Sequence, residues 1–312
     1  MPQCKDFYFD SSTGRNRIRA RRCDPDCSPR AVVQIVHGIA EHMERYDEFM
    51  QFLASNGILA VGCDHLGHGK SAASPDELGL FAEQDGWSYV LKDIDKLRDK
   101  IREEYHDLPY VFFGHSMGSF LTRNYIIDNP HKYDAVIISG TGHQPLPVVL
   151  GGYGMASLAV KFSGPRSIGY TLNDVAFGAY NKGFDNPRTK FDWLSRDNAI
   201  VDKYIEDPLC GFVATVSLFR DMMGGIKYIT NQNNIDKMNK DVPVYFMSGK
   251  EDPVGENGAG VTRAYNAFAK AGIKDVFMRL YPGGRHEMLN ETNKEDVYRD
   301  ILNWLDEKLF NK

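Results

Sequence analysis

The sequence predicts an α/β fold: a parallel sheet covered by helices on both faces, interrupted by one inserted segment. Three observations carry this. Apolar, strand-like runs alternate with amphipathic helical stretches, the pattern of repeated β-α units. That alternation lapses between about residues 143 and 215 and then resumes. Finally, Gly114-His115-Ser116-Met117-Gly118 stands between the apolar run 110–113 and a helical stretch at 119–127. A G-x-S-x-G in that strand–turn–helix setting displays its serine at a cramped turn, with small residues on either side.

The elements follow in order. Phe7-Tyr8-Phe9 and Arg17-Ile18-Arg19-Ala20, separated by Ser11-Ser12-Thr13-Gly14, predict an antiparallel hairpin. The alternating Arg15, Arg17, Arg19, Arg21 and Arg22 suit the exposed face of an edge strand. Residues 31–36 are nearly all apolar, as a strand covered on both faces must be. They run into His37-Gly38-Ile39-Ala40-Glu41-His42, a loop at the strand end where such sheets place ligands. His37 and His42 are expected to shape this loop by hydrogen bonding. Tyr46, Phe49, Met50 and Leu53 recur at helical spacing, and Gly57 closes that helix. A buried strand at 58–63 leads to Asp64-His65-Leu66-Gly67-His68-Gly69-Lys70-Ser71. This loop lacks the spacing of a phosphate-binding loop, and Asp64 is expected to satisfy its backbone donors. Trp87, Val90, Leu91, Ile94, Leu97 and Ile101 form one stripe of a helix from Gly86 to Tyr105. A further strand occupies 135–140.

The inserted segment is rich in glycine and aromatic residues. Within it, 146–150 and 155–160 are apolar enough to line an acyl channel or touch a lipid surface. After Gly224-Gly225 come a strand at 242–247, a helix near 260–271, a strand at 275–281 and a final helix at 294–310. Asp252 and His286 each lie just past one of these strands, on the edge where Ser116 sits.

Composition excludes several classes. The 312 residues carry a net charge of −5 with no long basic run, which argues against nucleic acid as the main partner. The five cysteines, Cys4, Cys23, Cys27, Cys63 and Cys210, have no framework spacing and read as reduced thiols in a cytoplasmic protein. Cys23 and Cys27 lack a second pair with which to hold a metal. Residues 1–6 contain no apolar signal-peptide core. The longest uncharged stretch, 145–160, is shorter than the roughly 20 residues that span a bilayer. No cofactor and no metal are expected.

The chemistry rests on three residues in the order Ser116, Asp252, His286. A serine hydroxyl needs a positioned base near neutral pH, which His286 supplies, and a buried carboxylate fixes that imidazole's tautomer. Glu251 competes for the acid role, but Pro253 stiffens the turn after Asp252. The Ile39 and Met117 N–H groups are the expected oxyanion donors.

With these motifs in place, the chain resembles the monoacylglycerol lipase and lysophospholipase branch of the α/β-hydrolases, also labelled serine aminopeptidase-like. The resemblance rests on Gly114–Gly118, His37–His42 and the 64–71 loop. It rests also on Leu194-Ser195-Arg196-Asp197, Val201-Asp202-Lys203-Tyr204 and Asp207-Pro208-Leu209-Cys210. It implies a mostly parallel eight-stranded sheet flanked by helices, with core at 1–142 and 216–312 and a mainly helical cap at 143–215. It also implies a serine hydrolase, free in the cytoplasm or peripheral at a membrane, that needs no cofactor. The substrate would be a small, single-chain ester such as a monoacylglycerol or lysophospholipid, cleaved through an acyl-enzyme. Two alternatives remain: an aminopeptidase whose α-ammonium site would draw on Asp174, Asp185, Asp192 or Asp197, and a non-catalytic ligand receptor.

Overall fold

The computed structural model describes residues 2–310; Met1, at the head of the stretch inspected for a signal peptide, lies outside them. Strands β1 (Cys4–Asp10), β2 (Arg17–Cys23), β3 (Ala31–Val36), β4 (Ile58–Cys63), β5 (Tyr110–His115), β6 (Ala135–Ser139), β7 (Val244–Gly249) and β8 (Val276–Tyr281) form one eight-stranded sheet. Its order is β1-β2-β4-β3-β5-β6-β7-β8. From β4 to β8 every neighbour is parallel, and β1 and β2 close one side as the expected antiparallel hairpin.

Alternate residues of the buried strands feed two cores. Val32 and Val36 of β3 join the apolar cluster on one face, and Ala31, Val33 and Ile35 the cluster on the other. Helices α1 (Asp47–Ser55) and α10 (Lys294–Leu309) cover the second face. Helices α2 (Gly86–Glu104), α3 (Met117–Asp128) and α9 (Ala259–Lys270) cover the first. The predicted stripe of α2 is buried at Trp87, Val90, Ile94, Leu97 and Ile101, and half-buried at Leu91.

One expectation is overturned. The arginine-rich strand β2 is not an edge, because β1 lies outside it. Arg19 is wholly buried and bonded to Asp6 (2.7 Å), Glu44 (2.9 Å) and Asp64 (3.3 Å). Arg21 bridges Asp6 and Asp47, while Arg22 bridges Asp24 and Glu104. The arginines alternate, but the carboxylates that accept them come from elsewhere in the chain. Asp64 does satisfy backbone donors as expected, accepting from the Met43 and Lys70 amides at 2.8 and 2.9 Å.

The segment between β6 and β7 holds helices α4 (Leu146–Ser163), α5 (Tyr170–Phe177), α6 (Asn198–Glu206), α7 (Val216–Thr230) and α8 (Gln232–Ile235). Helix α7 packs along α4 on one side and against α3 and α2 on the other. Buried Arg123 of α3 ties both stems of this segment, donating to the Gly142 carbonyl (2.8 Å), the His143 ring (3.0 Å) and the Ile229 carbonyl (3.4 Å).

Helix α4 joins the two predicted apolar stretches into one helix of 18 residues, about 27 Å long. By length and composition alone it could cross a membrane. Its outer side is apolar and open: Val148 is 58% exposed, Leu158 56% and Phe162 80%.

Helix α3 approaches β3 so closely that a Cβ on Gly118 would stand 1.9 Å from the Val36 carbonyl oxygen and 2.5 Å from that of His37. Both obstacles are backbone and cannot swing aside. Gly118→Ala is therefore expected to destabilise the fold by about 3 kcal/mol, read from the urea midpoint at unchanged m-value.

Candidate active site

The chain leaves β3 toward β4 on one side of the sheet, and continues through β5 on the other. A parallel sheet opens a crevice outside its carboxyl ends at such a switch point. Here β3 delivers His37–His42 and β5 delivers Ser116, so loop and serine arrive as neighbours. Strands β7 and β8 bring Asp252 and His286 to the same edge.

Ser116 sits at φ 54°, ψ −123°, a conformation that costs a side-chain-bearing residue about 1–3 kcal/mol. Its amide donates to the Ser139 carbonyl at 3.0 Å. Its own carbonyl accepts from the Ser119 amide (2.9 Å) and hydroxyl (2.6 Å). The turn is thus held from β6 on one side and from the first turn of α3 on the other.

Asp252 is fully buried. It accepts from His286 Nδ1 at 3.0 and 3.1 Å, from Ser248 Oγ at 3.0 Å and from the Val254 amide at 2.9 Å. Burial works against its charge, but His286 and these donors prevail and hold the carboxyl below the usual range. Burial likewise opposes charge on His286, and there the Asp252 carboxylate prevails, raising the imidazole above its ordinary pKa. The neighbouring His115 ring lies 4.7 Å away, and burial together with His286 lowers it to about 4. The two imidazoles are therefore shifted in opposite directions. The competing acid, Glu251, is exposed to solvent.

Ser116 and His286 border the same cavity. Among the described residues, the hydrogen bonds of the His286 ring all involve Nδ1, which leaves Nε2 available. Catalytic hydrogen bonds to a serine commonly tighten only when substrate arrives. The glycine loop closes over the serine: a Cβ on Gly38 would lie 3.1 Å from the Ser116 Cβ. Ile39 borders two cavities and Met117 the larger of them, and neither amide has a backbone partner among the described residues.

Those two cavities meet at Ser116 and Ile39. One, about 1200 Å³, is walled by Phe120, Val148, Met155, Leu172, Phe219 and Met222 among others, and its lining also includes Lys250, Glu251 and Glu256. The other, about 230 Å³, carries Glu41, Asn173, Asp174, Asn181, Lys190 and Glu287 alongside aromatic rings. The first suits a chain of methylenes and the second a polar group.

The remaining candidates separate. His37 donates from Nδ1 to the Gly38 carbonyl (2.8 Å) and accepts the His65 amide at Nε2 (3.0 Å), so it shapes the loop. His42 hydrogen-bonds Asp207 at 2.8 Å. With Cys210 these two place potential ligand atoms within 4.8 Å of one another. The imidazole–carboxylate bond and a thiol held protonated by burial account for the cluster without an ion. Cys23 is buried and Cys27 exposed, and all five cysteines are free.

Of the four cap carboxylates, Asp174 borders the smaller of these two cavities and the other three border neither. Asp192 accepts from Arg188 and Thr189, Asp197 caps α6 at Ala199, and Asp185 is exposed.

Sequence reasoning missed one group altogether. Arg45, its side chain 10% exposed, donates to Glu41 at 2.7 Å and to both oxygens of Glu287 at 2.7 and 2.6 Å. Its guanidinium also lies over the Tyr204 ring, 4.8 Å from the centroid. The adjacency of Glu287 to His286 was the one available signal.

Comparison with known proteins bears on this geometry. The family model described as "Serine aminopeptidase, S33" matches residues 27–293. The monoacylglycerol lipase of Mycolicibacterium smegmatis is 27% identical over 292 residues, covering 90% of each chain. The monoglyceride lipase of Saccharomyces cerevisiae is 26% identical over 311 residues, covering 96% of this chain and 88% of its own. Among solved structures, a thermostable carboxyl esterase from Bacillus coagulans in complex with glycerol superposes with a TM-score of 0.92. It is 27% identical and covers 99% of this chain and all of its own. A soluble variant of the S. cerevisiae monoglyceride lipase with a substrate analogue gives 0.78 at 22% identity, covering 99% of this chain and 96% of its own, a likeness of fold. With one family model spanning most of its length on this sheet, the chain belongs to the serine aminopeptidase S33 family and has the α/β-hydrolase fold.

Proposed function

We propose that the chain is a carboxylic-ester hydrolase acting on single-chain esters of the monoacylglycerol kind, with Ser116 as nucleophile, His286 as base and Asp252 as its orienting acid. One observation carries the reading: Ser116 lies where a large, mostly apolar cavity meets a small one of mixed lining, beside a buried imidazole bonded to a buried carboxylate. The names of the relatives, monoacylglycerol and monoglyceride lipases, agree with it.

The acyl chain occupies the larger cavity and the alcohol part the smaller. Ser116 Oγ attacks the carbonyl carbon while His286 Nε2 takes the hydroxyl proton, and Asp252 stabilises the imidazolium through Nδ1. The carbonyl oxygen, now an oxyanion, receives the Ile39 and Met117 N–H groups. The ester bond breaks as His286 returns the proton to the leaving alkoxide, which leaves an acyl-enzyme on Ser116. Water then gives its proton to His286 and attacks the acyl carbon. The fatty acid departs and Ser116 recovers its proton. The inserted segment 143–215 acts as a cap over this edge, and the open face of α4 rests on a lipid surface from which substrate enters.

The aminopeptidase alternative has less support. Asp174 is the only one of its four carboxylates bordering the small cavity, while Glu41 and Glu287 are bonded to Arg45. Rates on monoacylglycerols and aminoacyl amides, measured side by side, separate the two.

Ser116→Ala is expected to lower kcat on a monoacylglycerol by a factor on the order of 10⁶ and to abolish fluorophosphonate labelling. Retained turnover would remove Ser116 from the mechanism.

The pH profile has a definite sign. His286 serves as base only when neutral, and its pKa is raised, so the acid limb of kcat/KM is expected to have its midpoint above about pH 6.5. In Asp252→Asn, burial acts without the opposing carboxylate. The limb of the residual activity then moves to lower pH, with kcat down about 10⁴-fold.

For the lipid contact, Leu158→Asp/Phe162→Asp is expected to weaken binding to phosphatidylcholine vesicles at least about 10-fold. Hydrolysis of a soluble butyrate ester stays unchanged, since neither residue borders either of the cavities at Ser116.

A further inference from the structure

The oxyanion loop and the loop carrying His286 come from opposite ends of the chain, yet one nearly enclosed side chain, 10% exposed, bonds to both. Arg45 donates from Nη1 to Glu41 Oε2 (2.7 Å) and Glu287 Oε1 (2.7 Å), and from Nη2 to Glu287 Oε2 (2.6 Å). Each carboxylate passes the constraint on. Glu41 Oε1 accepts the Gly38 amide at 2.5 Å and the Tyr46 hydroxyl at 2.9 Å, one residue from Ile39. Glu287 follows His286 directly, and its Oε2 accepts from Asn290 Nδ2 at 2.9 Å. The Tyr204 ring under the guanidinium belongs to the inserted segment, and its hydroxyl donates to the Ala40 carbonyl at 3.0 Å.

We propose that Arg45 is a positioning residue: by bonding at once to Glu41 and Glu287, it fixes the oxyanion donors relative to the base. This rests on the ester-hydrolase reading above. A buried Glu–Arg–Glu triad is a poor device for stability alone, because removing three charges from water costs about what their mutual attraction returns. A planar guanidinium is a good device for geometry, since its forked donors fix distance and angle together. The attacking oxygen, the proton acceptor and the oxyanion donors must be aligned to within fractions of an ångström, and a displacement of about 1 Å can cost on the order of 10²-fold in rate. Arg45 spans the separation over which that alignment has to hold.

The test uses the full-length protein, a p-nitrophenyl butyrate assay and the rate of fluorophosphonate labelling at Ser116. Arg45→Met alone leaves two buried carboxylates without a counter-charge and destabilises the fold. The informative variant is therefore the neutral triple, Arg45→Met/Glu41→Gln/Glu287→Gln. It removes all three charges, and the glutamine at 41 keeps an acceptor for the Gly38 amide. Arg45→Lys accompanies it, keeping a charge without the fork. Both are expected to show kcat lowered about 10- to 100-fold, KM within about threefold of wild type, and labelling slowed in proportion. The triple should also melt within about 5 °C of wild type.

A stable triple whose kcat lies within about threefold of wild type would make Arg45 structural only and overturn the assignment. So would a raised KM at unchanged kcat, which would place Arg45 in substrate binding. A wild-type protein that neither turns over nor labels would overturn the ester-hydrolase reading and this assignment together, whereas an active wild type with an equally active triple would overturn this assignment alone.

Discussion

The site depends on the closeness of one helix to one strand. Helix α3 can meet β3 at backbone distance only because Gly118 has no side chain, and that approach sets where the chain must turn after β5. The turn forces Ser116 to a positive φ, at a cost that the bonds from Ser139 and Ser119 and the packing of α3 offset. In return, the serine stands clear of both strand and helix. Its neighbours on the sheet edge are then determined by strand order, which brings the β3 loop beside it and the β7 and β8 loops across from it.

Much of this arrangement was legible in the sequence, for physical reasons. Strands covered on both faces need unbroken apolar runs, so β3, β4, β5 and β6 announce themselves, and the amphipathic stripe of α2 does the same. Residues at strand ends in a parallel sheet gather at one edge, so Ser116, Asp252 and His286 could be nominated together. Helix α4 was harder to read as a unit. It is apolar both where it borders the large cavity and where it is exposed, so no polar face marks its period, and Gly151, Gly152 and Gly154 suggest breaks. The β2 arginines misled because alternation records which residues share a face, not what covers that face. Arg45 and Glu287 are separated by 242 positions, and no local pattern encodes a pairing of that range.

The two cavities beside Ser116 differ in size and in the polar groups they carry. On the proposed reading, each methylene buried in the larger cavity contributes about 0.8 kcal/mol, so a long chain supplies binding energy from a part of the substrate remote from the reacting bond. The smaller cavity is lined by charged and amide groups and can satisfy hydroxyls as they leave water. Orientation of the ester is then decided before chemistry begins, because exchanging the two ends would bury hydroxyls in the apolar chamber and expose methylenes to the polar one.

Helix α4 has a consequence of its own. Val148, Gly151, Gly152, Met155 and Ala156 border the large cavity, Val148 and Met155 being exposed as well, whereas Leu158 and Phe162 are exposed without bordering it. A Cβ added at Gly151 would meet no atom within 4 Å, so side chains can grow there without disturbing their neighbours. The lining of the chamber and the open outer surface therefore overlap at Val148 and Met155 and separate at buried Ala156 on one side and at Leu158 and Phe162 on the other. On the proposed reading, a change at Ala156 alters the length of chain accommodated without touching the lipid-facing surface, and a change at Leu158 or Phe162 alters that surface without changing what fits inside.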